Sequence, residues 1–330
     1  MTAVTVLGAG AWGTALAVVL ARNGQAVKLA IRRKSQFAAL RDDRENRAYL
    51  SGVPFPSQLH LTEMSADCVR NADAIVMAIP SGFARETLAP VKSAIPLESL
   101  MLSVSKGIEQ DSLRTMSQML AELAPPANRI AVLSGPGFAL EIARGKPAAL
   151  VAAAHTDAIA RRAQTLFAAK PLRVYRSLDV TGVELGGASK NVIAIAAGIS
   201  DGLVLGSGAR AALITRGLAE MMRLARATGA KHETLAGLAG LGDLVLTSTG
   251  DLSRNRRLGL ALGRGEQLSL PADGAPIAEG VSNARALVRL AERHGVEMPI
   301  SSAVYRVLYE AAPPDAMVEE LLSRELKTEF

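Results

Sequence analysis

The first 178 residues alternate between short apolar runs and segments with helical periodicity. The apolar runs cover residues 4–7, 26–31, 73–80, 99–107, 129–137, 148–154 and 172–177. Helical segments separate them, for example residues 82–94 and 112–123. Strands that are apolar on both faces and alternate with helices are typical of a parallel, doubly wound sheet. We therefore predict an α/β fold for this half of the chain.

The pattern changes after Asp179, where strand-like runs stop and a helical period takes over. Asp179 or Thr181 could cap the first helix of this half. We predict two domains, residues 1–178 and residues 179–330, of which the second is all-α and supplies the substrate side of a cleft. Its predicted helices are 181–200, 209–228, 278–294, 299–311 and 314–325.

A glycine pattern follows the first apolar run and opens the first predicted helix. Gly8, Gly10 and Gly13 have the GxGxxG spacing, and a second strand follows at 26–31. Gly8 permits a tight turn, Gly10 lets backbone N–H groups approach a pyrophosphate, and Gly13 lets the helix pack on the strand. The alternative is an ordinary strand-to-helix turn. We interpret residues 1–178 as a Rossmann-type dinucleotide-binding domain.

The end of the second strand distinguishes the two nicotinamide dinucleotides. An acidic residue there would bind the ribose 2′-hydroxyl of NAD. The chain instead has Arg32, Arg33 and Lys34, whose charges suit the 2′-phosphate of NADP. The pattern favours NADP(H) as cofactor with NAD(H) as an alternative, although a solvated basic turn would look the same.

Lys190 is the only charged residue in an apolar segment that predicts a fully buried helix. From Val192 to Ile199 every residue is apolar or glycine. A lysine there must reach solvent, find an anion or lose its proton. Gly187 and two alanines share its helical face and leave room for a small substrate. The residues alone leave a solvent-reaching lysine and a catalytic lysine open, with Asp243 as the candidate partner.

The segment 237–259 is predicted as a loop region that ends in a basic helix start. Asp251 or Ser253 would cap a helix whose first turn holds Arg254 and Asn255. A helix N-terminus with arginine and serine beside it is a good phosphate site. A capped surface helix with basic residues is the alternative.

Composition narrows the class of ligand. One cysteine, Cys68, excludes an internal disulfide and a cysteine-rich zinc site, and the four histidines lack ligand spacing, so we expect no metal. The net charge is +6, but the cations are scattered and aromatic residues make up only 3%. We therefore expect anionic small molecules as ligands and no nucleic acid.

The apolar stretch near the N-terminus could be mistaken for a signal peptide. No lysine or arginine precedes Arg22, and the uncharged stretch before it holds the glycine pattern. No apolar run approaches the roughly 20 residues that span a bilayer. We expect a cytoplasmic protein without stable membrane insertion, and the oligomeric state is left open, with a homodimer as one option.

Taken together, these segments resemble one family, the bacterial NAD(P)-dependent sn-glycerol-3-phosphate dehydrogenases. The matches keep their order and span nearly the whole chain. The Lys-Asn, Gly-Asp and Ser-Arg-Asn motifs are specific to that family in combination. The matching stretches are GAGAWGTALA near the start, SKG at 105–107, SGPGFALEIARG at 134–145, ELGGASKNVIAIAAG at 184–198, GLGDLVLT at 240–247, LSRNRRLG at 252–259 and EGV at 279–281.

The resemblance implies reduction of dihydroxyacetone phosphate to sn-glycerol 3-phosphate, the backbone of phospholipids. It implies that Lys190 is the catalytic acid/base, supported by Lys106 and Asp243. The implied substrate contacts are Lys106, Gly135, Gly137, Asn191, Asp243, Thr247, Ser253, Arg254 and Asn255. The implied cofactor contacts are Gly8, Gly10, Ala11, Trp12, Gly13, Arg32, Arg33, Lys106, Ala139, Arg254, Ile277 and Glu279.

The sequence departs from the family at two positions. Gly137 stands where the family usually has serine, so a hydroxyl contact is in doubt there, and Ser248 stands where many members have cysteine. The rival enzyme classes are the β-hydroxyacid dehydrogenases and ketopantoate reductases, which bind carboxylates and lack the SRNR segment after a GLGD loop. A nucleotide-sensing module without turnover is a third interpretation, against which the intact Lys190-Asn191 pair argues.

Overall fold

The first half of the protein is built on one eight-stranded sheet. The computed structural model describes residues 1–123, 129–266, 278–326 and 328. The strand order is β3-β2-β1-β4-β5-β6-β7-β8. Because β1 lies between β2 and β4, the chain reverses its direction of travel across the sheet there, and ligands bind beside such a point. The strands are β1 Ala3–Leu7, β2 Ala26–Ile31, β3 Leu59–Glu63, β4 Ala74–Met77, β5 Leu100–Ser103, β6 Ile130–Ser134, β7 Ala148–Ala154 and β8 Leu172–Ser177.

The predicted all-parallel sheet is wrong at one pair, since β7 runs antiparallel to β6. The other neighbouring strands are parallel. To form a parallel pair, the connection must return the chain to the end of the sheet where the first strand began, usually through a helix. Here the connection contains only the five-residue helix α6, Ala139–Ala143, which packs on α1 and keeps the chain at the edge where β6 ends. The doubly wound α/β class itself is confirmed.

Strand β3 was not predicted from the sequence. Its residues read LHLTE, and only Leu59 among them is buried. It pairs with β2 alone at the edge of the sheet. An edge strand needs no continuous apolar run, which is the signal that revealed the others.

Helices cover both faces of the sheet and enclose two apolar clusters. One contains Leu16, Leu29 and Leu133, and the other contains Met77, Leu88 and Leu120. The predicted helix 82–94 ends earlier, and a separate 3-10 turn follows at Lys92–Ala94. The remaining helices of this half are α1 Ala11–Arg22, α2 Lys34–Asp43, α3 Ala66–Val69, α4 Ser81–Leu88, α5 Met116–Leu123 and α7 Asp157–Phe167.

The second half is helical, as predicted. The region 237–259 was predicted as a loop region that ends in a helix start. It is helical before that start as well, because a π-helical turn at Leu238–Gly242 runs into a helix at Asp243–Thr249, and the predicted helix then begins at Arg254. Two glycines of this region allow close packing of helical backbone: a Cβ on Gly240 would lie 2.1 Å from Leu235 O, and one on Gly259 would lie 2.0 Å from Ile195 O. The helices are α8 Val180–Gly202, α9 Gly206–Ala227, α10 His232–Ala236, α11 Asp243–Thr249, α12 Arg254–Gly263, α13 Glu279–Arg293, α14 Pro299–Tyr309 and α15 Pro314–Leu322.

Helix α8 is the centre of this half. Every residue from Gly182 to Ser200 is buried, as the apolar run predicts. The Asp179 side chain accepts a hydrogen bond from Gly182 N at 2.9 Å and caps the helix. Helices α9, α11, α12, α13 and α14 pack around it, and β6 contacts it from the sheet side. The strand-to-helix change falls between Ser177 and Val180, and the division at 178/179 stays a prediction.

Within the described ranges, the helices include none that is long and apolar enough to cross a membrane.

Candidate active site

The glycine turn between β1 and α1 has the shape that a pyrophosphate requires. Gly8 has φ +109°, and a Cβ there would lie 2.5 Å from Ala78 O. A Cβ on Gly13 would lie 2.0 Å from Gly8 O, so only glycine lets α1 pack this closely. Around Gly10, in contrast, no atom of the described residues beyond its chain neighbours lies within 4 Å of a would-be Cβ. Helix α1, which begins at Ala11, has no side-chain cap, so its first N–H groups face this open space.

Two amide side chains that the sequence did not single out hold this turn. Gln36 Nε2 donates to Ala9 O at 2.7 Å, and Asn46 Nδ2 donates to the same carbonyl at 3.0 Å. Asn46 Nδ2 also lies 2.8 Å from Thr14 Oγ1 and is fully buried. Two donors therefore occupy the carbonyl oxygen of Ala9, a residue inside the glycine turn. No local motif marks Asn46, because its partners lie more than thirty residues away.

The two arginines after β2 lie at the surface. Arg32 and Arg33 are both exposed, and Arg33 Nη2 donates to Tyr49 Oη at 2.8 Å. They follow β2, which neighbours β1, so they stand beside the carboxyl ends of the strands that flank the glycine turn. This placement suits contact with the outer ribose of a dinucleotide.

Lys190 is buried and ion-paired, so its ammonium group does not reach solvent. Its Nζ donates to Asp243 Oδ1 at 2.9 Å and to Thr247 Oγ1 at 2.7 Å. The side chain is 8% exposed. Burial lowers the pKa of Lys190 to about 8, with Asp243 opposing the shift and Lys106 adding to it. A lysine with this pKa can both donate and accept a proton near neutral pH.

Asp243 joins two lysines. Its Oδ2 lies 2.5 Å from Lys106 Nζ, while Oδ1 faces Lys190. Burial disfavours the carboxylate, but the two ammonium groups outweigh it, and the pKa of Asp243 lies below its ordinary value. Lys106 also donates to Gly135 O at 3.0 Å. Two cations therefore converge on one carboxylate at the edge of the sheet.

The lysine centre lies beside the start of α1. Lys106 Nζ stands over the Trp12 ring at 5.8 Å from its centroid, within the range of cation–π contacts. A Cβ on Gly187 would lie 3.4 Å from Lys106 Cγ and 3.0 Å from Ser134 Oγ. Gly187 thus allows α8 to approach Lys106, and the glycine turn and the lysine centre belong to one cleft.

A chain of amides connects the centre to α12 and α13. Asn191 Oδ1 accepts from Asn255 Nδ2 at 2.9 Å, and Asn255 Oδ1 accepts from Gly280 N at 2.9 Å. Asn283, which the sequence did not single out, donates to Lys106 O at 2.8 Å and to Ala188 O at 3.2 Å. These bonds fix the backbone of the loop that carries Lys106.

The predicted basic helix start has the expected cap. The Ser253 side chain accepts from Arg256 N at 3.1 Å and caps α12, so Asp251 is not the cap. Arg254 is exposed, whereas Asn255 is buried. Burial raises the pKa of Glu279, and Arg254, Lys190 and Lys106 act against that rise. Glu279, the first residue of α13, is therefore electrostatically coupled to both lysines and to Arg254.

Three of the remaining predicted residues lie in the segment that follows β6. Gly135 has φ +129° and follows β6 directly. A Cβ on Gly137 would lie 2.5 Å from Ile142 Cδ1, so the serine usual in the family would need this side chain to move. Ala139 is the first residue of α6. Ile277 lies outside the described residues.

Comparison with known proteins gives one family. The model described as NAD-dependent glycerol-3-phosphate dehydrogenase N-terminus matches residues 3–160, and the C-terminus model matches residues 179–319. Glycerol-3-phosphate dehydrogenases (NAD(P)+) from Geobacter sp. (strain M21) and Thioalkalivibrio sulfidiphilus (strain HL-EbGR7) are 48% and 49% identical over 329 residues, 99% of this chain and 98% of each relative. The crystal structure of glycerol-3-phosphate dehydrogenase from Coxiella burnetii superimposes with a TM-score of 0.91 at 40% identity, covering 98% of this chain and 99% of that one. The chain therefore belongs to the NAD-dependent glycerol-3-phosphate dehydrogenase family.

Proposed function

We propose that the protein reduces dihydroxyacetone phosphate to sn-glycerol 3-phosphate with NADPH, reversibly, and thereby supplies the backbone for phospholipid synthesis. NADH serves as an alternative reductant. One observation carries the proposal: a buried lysine with a pKa of about 8 lies beside a dinucleotide-type glycine turn, in a chain of this family.

The residues around the turn fit a nicotinamide dinucleotide. The open space at Gly10 and the start of α1 would hold the pyrophosphate, and the exposed Arg32 and Arg33 would contact the 2′-phosphate. Trp12 and Glu279 lie where the cofactor would pass toward the lysine centre. When bound, the nicotinamide supplies the hydride.

Lys190 acts as the proton donor. Hydride addition places negative charge on the ketone oxygen, which needs stabilisation and a proton. Lys190 Nζ donates that proton, and its weakened basicity makes the transfer easier. Asp243 and Thr247 hold the ammonium group in one orientation. Lys106, on the other carboxylate oxygen, adds positive charge beside the reacting atoms. From this position it would contact both cofactor and substrate.

The start of α12 binds the substrate phosphate. Ser253, Arg254 and Asn255 provide a helix N-terminus, an exposed guanidinium and an amide. Asn255 is hydrogen-bonded to Asn191, the residue after Lys190, so the phosphate end and the reacting end are directly connected. Gly135 and Gly137 contribute backbone groups to the substrate, and the latter offers no hydroxyl.

Initial rates of NADPH oxidation test the proposal. We expect turnover with dihydroxyacetone phosphate and far slower turnover with 2-ketopantoate or β-keto acids of similar size. Faster turnover of a carboxylate substrate would replace this proposal by the rival reductase interpretation. Cofactor binding without turnover of any of these substrates would favour the nucleotide-sensing module.

Three further predictions from the sequence are independent of this proposal. They are the cytoplasmic location, the homodimer option and the two-domain division at residue 178.

A further inference from the structure

Helices α8 and α12 are packed backbone against backbone. A Cβ on Gly259 would lie 2.0 Å from Ile195 O, and one on Gly198 would lie 2.1 Å from Arg256 O. One turn further along each helix, Cβ atoms on Gly263 and Gly202 would lie 2.4 Å from Ile199 O and 2.6 Å from Leu260 O. These four glycines, the glycine seam, leave α12 no freedom to shift toward α8.

A partly buried ion pair links the same two helices and fixes their relative rotation and axial position. Arg256 Nε and Nη2 lie 2.9 Å and 2.7 Å from Asp201 Oδ2. The side chains are 14% and 12% exposed. Arg210 on α9 donates to the other carboxylate oxygen at 2.9 Å. A pair with two donors on one carboxylate has a defined geometry that a single-point contact lacks.

The two helices carry the two halves of the proposed site at the same end of their interface. Lys190 lies on α8, and the phosphate-binding residues Ser253 to Asn255 begin α12. Arg256 follows them directly, and its backbone N–H donates to the Ser253 cap. The distance from the ammonium group to the phosphate site is therefore set by how α12 is docked on α8.

We propose that Asp201 and Arg256 are positioning residues that, with the glycine seam, hold the phosphate site at the triose-phosphate distance from Lys190. The proposal rests on the proposed phosphate site at the start of α12. It assigns to Arg256, the fourth residue of the SRNR motif, a role different from that of Arg254.

The contacts of Arg256 argue against direct phosphate binding. Its Nε and Nη2 are engaged by Asp201, and Nη1 lies 2.9 Å from Asp251 Oδ1. Its guanidinium therefore points toward α8 and the cap region, whereas Arg254 is exposed at the helix start. Arg256 acts through the backbone of α12.

Two variants test the proposal in the full-length enzyme: Arg256→Gln and the nearly isosteric Asp201→Asn. Misplacement of a bound substrate by about 1 Å can cost on the order of 100-fold. We expect KM for dihydroxyacetone phosphate to rise about tenfold or more in each variant. KM for NADPH and kcat/KM for unphosphorylated dihydroxyacetone should stay within about twofold, because Asp201 and Arg256 are not among the predicted cofactor contacts and dihydroxyacetone carries no phosphate. Since both substitutions break one interaction, the double variant should be little worse than either single one.

Matched controls separate positioning from general charge loss. Arg257→Gln removes an exposed arginine from the same helix, and Asp251→Asn removes the 96% exposed carboxylate next to Arg256. Both variants should keep KM for dihydroxyacetone phosphate within about twofold of the wild-type value. Arg256→Lys, which keeps the charge but not the two-donor geometry, should lie between wild type and Arg256→Gln. Circular dichroism and thermal melting establish that each variant is folded.

The outcomes distinguish this inference from the proposed function. Equal losses with phosphorylated and unphosphorylated substrate, or a tenfold change in KM for NADPH, would reduce Asp201 and Arg256 to a structural role. If KM for dihydroxyacetone phosphate stayed unchanged in both Arg256→Gln and Asp201→Asn, the inference would be overturned, while the proposed phosphate site would be unaffected. If Arg254→Ala failed to discriminate the two substrates, the phosphate site itself would be wrong.

Discussion

The glycine turn at residues 8–13 and the lysine centre of Lys106, Lys190 and Asp243 lie in one cleft but are built in opposite ways. The turn is a contiguous stretch of six residues whose function depends on backbone N–H groups and absent side chains. The centre joins side chains that are 137 and 53 residues apart in the chain; Lys190 and Asp243 are buried, and Lys106 is partly buried. A binding surface made of backbone is a local property, whereas a charged catalytic group needs the whole fold to desolvate it.

The two regions also differ in electrostatics. The turn presents uncharged donors that do not titrate near neutral pH. The centre gathers two ammonium groups and one carboxylate in a buried space, and the pKa of Lys190 falls to about 8 for that reason. Substitutions and pH should therefore separate cofactor binding from chemistry, and the following predictions test that separation.

The largest effect should come from Lys190→Ala. It removes the proton donor and the charge that stabilises the developing oxyanion, so kcat should fall at least about 10²-fold. Binding of NADPH, measured by fluorescence titration, should stay within about threefold, because the glycine turn is untouched. A variant that kept most of its turnover would return Lys190 to a structural role and remove the contrast between the two regions.

Arg254→Ala should produce the next largest effect, on substrate binding. A charge-assisted hydrogen bond to phosphate contributes about 1.5–3 kcal/mol, which corresponds to roughly a 10- to 150-fold rise in KM for dihydroxyacetone phosphate. Unphosphorylated dihydroxyacetone, a poor substrate, should change little. Arg257→Gln is the matched control on the same helix. Equal damage to both substrates would mean that Arg254 serves the fold or mainly the cofactor.

The pH profile should show a limb near the pKa of Lys190. Ketone reduction needs the protonated ammonium, so kcat should be level below about pH 8 and fall roughly tenfold per unit above it. Oxidation of glycerol 3-phosphate needs the neutral amine, so its rate should rise over the same range. Asp243→Asn removes a charge that raises this pKa, and the limb should then move to lower pH. The Kd of NADPH between pH 7 and pH 9.5 should stay nearly flat, and a parallel change in both quantities would contradict the separation.

The same contrast explains what the sequence could predict. The glycine turn, the buried strands and the cap of α8 follow from local patterns, and they appear at or near the predicted positions. The antiparallel β7 and the edge strand β3 do not, because strand direction and exposure depend on distant packing. Asn46 and Asn283 act through partners far away in the chain, so no spacing marks them. The π-helical turn at Leu238–Gly242 and helix α11 were not predicted, because the glycines that open this segment indicate a loop when the sequence is taken alone.

The smallest effect should come from the cofactor's outer ribose, where Arg32 and Arg33 stand in place of the acidic residue of NAD-type sites. Both side chains are exposed, and exposed ion pairs contribute about 1 kcal/mol or less. We therefore expect the protein to prefer NADPH over NADH only modestly. We expect NADPH over NADH by about fivefold at low salt, and less as the ionic strength rises.

Replacing both arginines by alanine should raise KM for NADPH by that factor and leave KM for NADH nearly unchanged. Tyr49→Phe, which removes the hydroxyl that Arg33 contacts at 2.8 Å, is a milder control that should shift only the NADPH value. Equal use of both cofactors by the wild-type enzyme at low salt would overturn the assignment. Equal loss of both cofactors in the double variant would mean instead that the arginines support the turn, and the backbone-only character of that region would no longer hold.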